Sequence, residues 1–137
     1  MKLLLDTNVL LDVALERTQF FADSDAVVAW CQHNPGSGLI AWHTVSNVYY
    51  LLKSARDNAA ARGFIETLLE IFEVSPTGTA AAKQALHLGV SDFEDALQIA
   101  AALAGGADVI VTRDRADYTA SPLPVQSPGE FLSSLIP

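Results

Sequence analysis

The chain has 137 residues, half of them hydrophobic, which suffices for one compact domain with a real core and leaves no room for two. A formal net charge of −8 argues against nucleic acid held on a broad basic surface. It leaves open metal-dependent phosphodiester chemistry, in which acids sit at the centre and bound cations reverse the local field, and it equally suits a basic protein partner. A membrane span needs about 20 apolar residues in a row, and the longest runs here, such as Ile99–Ala104, fall far short. The apolar stretch after Lys2 is too short for the core of a signal peptide and ends in a charge. A cytoplasmic protein without membrane contact is expected. Cys31 is the sole cysteine, so no internal disulfide forms, and its apolar setting, Ala26–Cys31, predicts buried packing.

In chain order, Lys2–Asp6 reads as a strand, because Leu3, Leu4 and Leu5 are continuous apolar residues, as in a strand covered on both faces. Thr7 or Asn8 can cap a short helix through Leu15. A second helix is expected from Phe20 to about His33, broken by Asn34-Pro35-Gly36-Ser37-Gly38. Leu39–Trp42 is a short strand candidate, and Thr44 can cap a helix through Leu52. Phe64, Ile65, Leu68 and Leu69 have the spacing of one helix face within Asn58–Ile71. Phe72–Ser75 is a weak strand; Thr79–Leu88 is a helix closed by Gly89. Ser91 with Glu94 has the spacing of a capping box, opening a helix that ends at Gly105-Gly106. Asp108–Thr112 is the clearest second strand, Pro124–Gln126 a last short one, and Pro128 begins a final helix through Leu135.

Strands alternating with helices imply an α/β fold, a mostly parallel sheet of four to five strands covered on both faces, in a single domain over 1–137. In such sheets ligands bind beyond the carboxyl ends of the strands, where the strand order reverses. That rule singles out Asp6, Thr7 and Asn8 after the first strand, and Thr112, Arg113 and Asp114 after Val109–Val111.

Asp6 follows three leucines, and an aspartate in mid-strand is costly to bury, so it belongs at the strand end facing the crevice. Asp92, Glu94 and Asp95 crowd the first turn of one helix, and Asp114 and Asp117 lie in the turn after the second strand. Carboxylates brought together repel unless a cation joins them. Oxygen-only ligands suit Mg2+ or Mn2+, while His33, His43 and His87 lack zinc-like spacing. Such a site supports metal-activated water attacking a phosphate. Competing explanations exist for some of these acids. Glu94 is read as a capping residue favoured by the helix dipole, and Asp92 admits either reading. Asp95, a full turn in, is read as a site residue, while Asp114 and Asp117 can also be ordinary turn residues. Asp12, Glu16, Asp23 and Asp25 are read as solvated. Arg113 and Arg115 flank the acids and can touch substrate phosphates. Trp42, Tyr49, Tyr50 and Phe93 are read as core or interface residues.

The segments Leu4-Leu5-Asp6-Thr7-Asn8-Val9-Leu10, Asp92-Phe93-Glu94-Asp95-Ala96-Leu97-Gln98 and Val111-Thr112-Arg113-Asp114-Arg115-Ala116-Asp117-Tyr118 occur in that order. Together they resemble a PIN domain of the kind found in VapC-like toxins, over nearly the whole chain. The resemblance implies a parallel sheet of order 3-2-1-4-5. It also implies Mg2+- or Mn2+-dependent endoribonuclease activity, a cognate antitoxin as partner and a homodimer. It places the family's acids on Asp6, Asp95 and Asp114 as metal ligands, with Asp117 as a further typical acid. Asn8, Asp92 and Thr112 are possible members of the site. The family's second acid, usually a Glu, falls on Asn47, which can accept through its carbonyl oxygen but brings no charge. A weak or inactive PIN-like module that binds RNA or protein is therefore the alternative. Dehalogenase-like phosphatases want Asp-x-Asp where this chain has Asp6-Thr7-Asn8. Receiver domains want a lysine late in the chain, and none follows Lys83.

Overall fold

The computed structural model describes residues 1–136. Within them the elements run β1 (Leu3–Leu5), α1 (Thr7–Ala14), α2 (Phe21–His33), β2 (Gly38–Ile40), α3 (Trp42–Ala55), α4 (Asn58–Ile71) and β3 (Glu73–Val74). The chain continues with α5 (Thr79–Ala85), α6 (Phe93–Ala104), β4 (Val109–Val111), one 3-10 turn (Arg115–Tyr118), β5 (Val125–Gln126) and α7 (Pro128–Ser134). The five strands form one sheet of order β3-β2-β1-β4-β5, and every neighbouring pair is parallel, as the resemblance implies. Leu3, Leu4 and Leu5 align with Val109, Ile110 and Val111, so the central pair is apolar on both faces.

The pleat sorts those side chains into two layers. Leu3, Leu5, Val109 and Val111 join Val9, Leu10, Val27, Cys31, Val48, Leu68 and Phe131 on the face covered by α1, α2, α3, α4 and α7. Leu4 and Ile110 join Leu39, Ile99, Ala101, Ala102 and Tyr118 on the face covered by α6. Alanines on the inner side of α6 let that helix approach the sheet closely. Gly105 continues this: a Cβ there would lie 2.7 Å from Leu39 Cδ1. Gly38 matters more, since a Cβ on it would sit 2.4 Å from the Phe72 ring.

Three helix starts differ from the sequence expectation. Asp6, not Thr7 or Asn8, caps α1, its carboxylate accepting from the Thr7 N–H at 2.7 Å. Helix α3 begins at Trp42 with Ala41 as its N-cap, two residues before Thr44. Thr44 is buried inside the helix and spends its hydroxyl on other side chains. Asp92 rather than Ser91 caps α6, accepting from the Asp95 N–H at 3.1 Å. In two of the three an aspartate took the cap, because a side chain that faces the next turn's N–H groups outcompetes a hydroxyl one residue away. The expected capping box does occur in α7, between Ser127 and Glu130.

Candidate active site

Strand β1 pairs with β2 on one side and β4 on the other, so connections leave it in opposite directions and a crevice opens at its carboxyl end. Asp6 stands there, with its N–H on Val111 O at 2.9 Å and only 6% of its surface exposed. Its carboxylate gathers donors from three parts of the chain. Oδ1 accepts from the Thr7 N–H at 2.7 Å and Gln98 Nε2 at 3.2 Å. Oδ2 accepts from the Thr112 hydroxyl at 2.8 Å, the Tyr118 hydroxyl at 2.9 Å and, more distantly, Asn8 Nδ2 at 3.4 Å. Burial raises the Asp6 pKa above the ordinary carboxylate value, and the hydrogen bonds from Thr112 and Tyr118 pull the other way. Burial, reinforced by the Asp6 charge, also raises the Tyr118 phenol, so it stays a proton donor.

The closest group of acids among the described residues comes from one turn, and Asp6, Asp114 and Asp117 stand outside it. Asp92, Glu94 and Asp95 each offer an oxygen within 4.8 Å of the others. Asp95 is pushed up to about 6, first by burial and then by the charges of Asp92, Asp6, Asp117 and Glu94. The first turn of α6, the end of β1 and the 3-10 turn thus act on one carboxylate. Asp114 joins through Asn8, whose Nδ2 reaches Asp114 Oδ2 at 3.1 Å and Thr112 Oγ1 at 3.3 Å. Asp117 lies on the exposed 3-10 turn, its N–H on Asp114 O at 3.0 Å.

Several residues that the sequence left aside are part of this arrangement. Gln98 is completely buried, and its Nε2 also reaches Thr7 Oγ1 at 3.3 Å and Thr44 Oγ1 at 3.1 Å. The Asp6 carboxylate, which only accepts when ionised, fixes which way the amide points, and Gln98 Oε1 is left buried without a partner. A lone amide among the alanines of α6 was the available signal. Tyr118 gave none, since nothing about a tyrosine in a turn marks it as a donor. Glu94 does not act as a cap. Its Oε1 faces α3, where Asn47 Nδ2 lies 3.4 Å away and His43 Nε2 also 3.4 Å, the latter outside hydrogen-bond geometry.

The arginines are engaged elsewhere. Arg113 Nε lies 2.7 Å from Asp12 Oδ2, off the N–H axis and so an ion pair, and its guanidinium stacks 4.0 Å over the Phe20 ring. Asp12, expected to be solvated, is completely buried, with Arg17 and Ser24 as further partners. The closer of its two cations comes from residue 113, a separation no local pattern reveals. Arg115 pairs with Glu130. Trp42, Tyr50 and Phe93, read as core or interface residues, are 70%, 65% and 46% exposed and so lie outside the core.

The donor set is carboxylate, hydroxyl and amide oxygen, and its crowded charges call for a cation. Gln98 Oε1, on the amide whose Nε2 meets Asp6, is a buried acceptor that still lacks a donor. These residues fit a hard divalent ion with oxygen ligands.

Fold and crevice define a doubly wound α/β protein with an acid-lined site at its switch point. The chain belongs to the PIN domain family, whose profile matches residues 2–116. It is similar to ribonuclease VapC1 of Aquifex aeolicus (strain VF5), 28% identical over 123 residues that cover 86% of this chain and 85% of that one. Its fold is that of VapBC2 from Rickettsia felis, determined bound to a DNA fragment from the promoter, with a TM-score of 0.72 and 14% identity over 93% of this chain and 98% of the other. It is also that of PAE2754 from Pyrobaculum aerophilum, with a TM-score of 0.63 and 24% identity over 98% and 89%.

Proposed function

We propose that the chain is a divalent-metal-dependent endoribonuclease, with Mg2+ or Mn2+ at Asp6, Asp95 and Asp114, and the toxin of a toxin–antitoxin pair. The observation that carries this is Asp6: a nearly buried carboxylate whose ionised form costs stability, held in place by side chains from α1, α6 and the β4 turn. Such a group is kept for chemistry rather than for folding. The similarity to ribonuclease VapC1 supports RNA as substrate.

When bound, the cation supplies an activated water and stabilises the charge on the leaving oxygen. The protein's own part is orientation. Thr112 and Tyr118 fix Asp6 Oδ2, and Gln98 and the Thr7 N–H fix Oδ1, so the carboxylate is set before substrate arrives. Asn8 ties the Asp114 turn to the same centre. Asp117 supplies further negative charge at the edge of the site and is assigned with the catalytic acids. Asp92 contributes by capping α6 under Asp95.

An antitoxin is the proposed protein partner, supported by the VapBC2 neighbour and by apolar surface at Trp42, Tyr50 and Leu51 on α3. A homodimer completes the assignment. No helix of the described residues is long and apolar enough to cross a membrane.

A second reading, a non-catalytic PIN-like binding module, is favoured by the five donors already on Asp6 and by the amide at Asn47. Incubating partner-free protein with a panel of structured RNAs separates the two. Cleavage that needs Mn2+ or Mg2+ and stops with EDTA supports the enzyme. RNA or protein binding with no cleavage and no metal uptake supports the module and rules the enzyme out.

A further inference from the structure

Of the three acids in the first turn of α6, each is used differently. Asp92 spends Oδ1 on the Asp95 N–H, as the cap of its own helix. Asp95 feels the charges of Asp92, Asp6 and Asp117. Glu94 accepts nothing from the helix backbone. Its side chain crosses to α3, where two residues one turn apart, His43 and Asn47, both approach the same oxygen, Oε1. The Asn47 contact, at 3.4 Å, is long for a hydrogen bond, so it orients the carboxylate more than it stabilises it. Oε2 has no contact that would occupy it among the hydrogen bonds and ion pairs of the described residues.

We propose that Glu94 supplies a carboxylate to the cation site, and that Asn47, facing it from α3, is the residue that positions it. The inference rests on the metal-centred reading above. Three observations support it independently of the helix dipole, which would account for an acid in this turn but not for its reach across to another helix. One Glu94 carboxylate oxygen lies within 4.8 Å of oxygens on Asp92 and Asp95. Its charge is felt at Asp6 and at Tyr118. Gln98, one turn further along α6, is completely buried, donates Nε2 to Asp6 Oδ1 and leaves its own Oε1 without a partner.

The amide at position 47 leaves the charge to Glu94 and reaches it by an N–H, so the ligand set stays oxygen-only.

The test is calorimetric titration of Mn2+ into the chelator-treated full chain, with thermal melts to verify folding of each variant. The side chains changed at 94 and 47 are not part of the core, so folding is expected to persist. Asp6→Asn tests the metal-centred reading itself and should abolish binding. Loss of an orienting partner typically costs about 10- to 100-fold in metal affinity. Asn47→Ala should fall in that range, and Glu94→Gln should weaken binding at least as much. Glu94→Asp keeps the charge but withdraws the oxygens by one methylene, and it too should bind more weakly. In the Glu94→Gln background, Asn47→Ala should add nothing further, because it acts through Glu94.

Wild-type affinity in both Glu94 variants, with binding still lost in Asp6→Asn, overturns the inference and leaves the metal centre standing. Wild-type affinity in Glu94→Asp alone reduces Glu94 to a source of charge and also overturns it. A full Asn47→Ala effect in the Glu94→Gln background overturns the positioning role. No Mn2+ uptake by the unaltered chain overturns the inference and the reading beneath it together.

Discussion

Gln98 shows how much one amide can organise. Its Nε2 meets Asp6, Thr7 and Thr44 at once, joining β1, α1 and α3 from its place on α6. Gln98→Leu keeps the bulk and deletes the donor, so Asp6 Oδ1 loses one of its two partners in a buried setting. A cost of about 1–3 kcal/mol is expected, read as a lower urea midpoint at unchanged slope, together with a lower cleavage rate. Cys31 makes the opposite point. It is completely buried, and burial pushes its thiol up to about 11 from an ordinary 9.0. The folded protein should resist a thiol reagent at pH 8 and react at once in urea. The raised value also sets a pH window. Below pH 9 both folded and unfolded chains keep the proton and stability is intact. Between 9 and about 11 the unfolded chain releases it first, so stability should fall as pH rises through that interval.

At the scale of elements, the site depends on contacts that hold α1, the β4 turn and β2 in place. Arg113 leaves the end of β4 and closes on the buried Asp12 of α1, with Phe20 beneath it. Asp12→Ala strands that cation and should cost about 3 kcal/mol, the low end for breaking a buried pair, because Arg113 keeps 22% side-chain exposure. It should also slow cleavage, since Thr112 and Asp114 flank Arg113. Gly38→Ala drives a methyl against the Phe72 ring and should cost about 1–3 kcal/mol by overpacking; denaturant melts measure both. The elements themselves were largely legible, because Leu3–Leu5, Val109–Val111 and the helical spacing in Asn58–Ile71 are strong local patterns. The starts of α1, α3 and α6 were not, and in α1 and α6 the reason is that cap choice depends on where Asp6 and Asp92 point. Asp6, Asp95 and Asp114 could be nominated from strand ends and motif. Asp12, Gln98, Tyr118 and the turn of Glu94 toward α3 could not, because each is defined by a partner distant in sequence.

For the molecule as a whole, the sheet order sets β1 beside β4, so Asp6 and Thr112 meet at one edge, and the Asp92, Glu94 and Asp95 charges act there as well. Those like charges work against folding until a cation arrives. Mn2+ at 100 times its Kd should stabilise the chain by about 2.7 kcal/mol, seen as a higher melting temperature that EDTA reverses. Asp6→Asn should reverse the balance: without metal it melts higher than the unaltered chain, because a carboxylate disfavoured by burial has been replaced by a neutral amide, and added Mn2+ shifts it little. The central claim is that the Asp6 carboxylate is the anchor of a metal-dependent nuclease. Single-turnover cleavage of one RNA in Mn2+ by the unaltered chain and by Asp6→Asn tests it most directly. A folded variant slower by at least about 100-fold is the expected result. Equal rates in the two proteins would contradict the account.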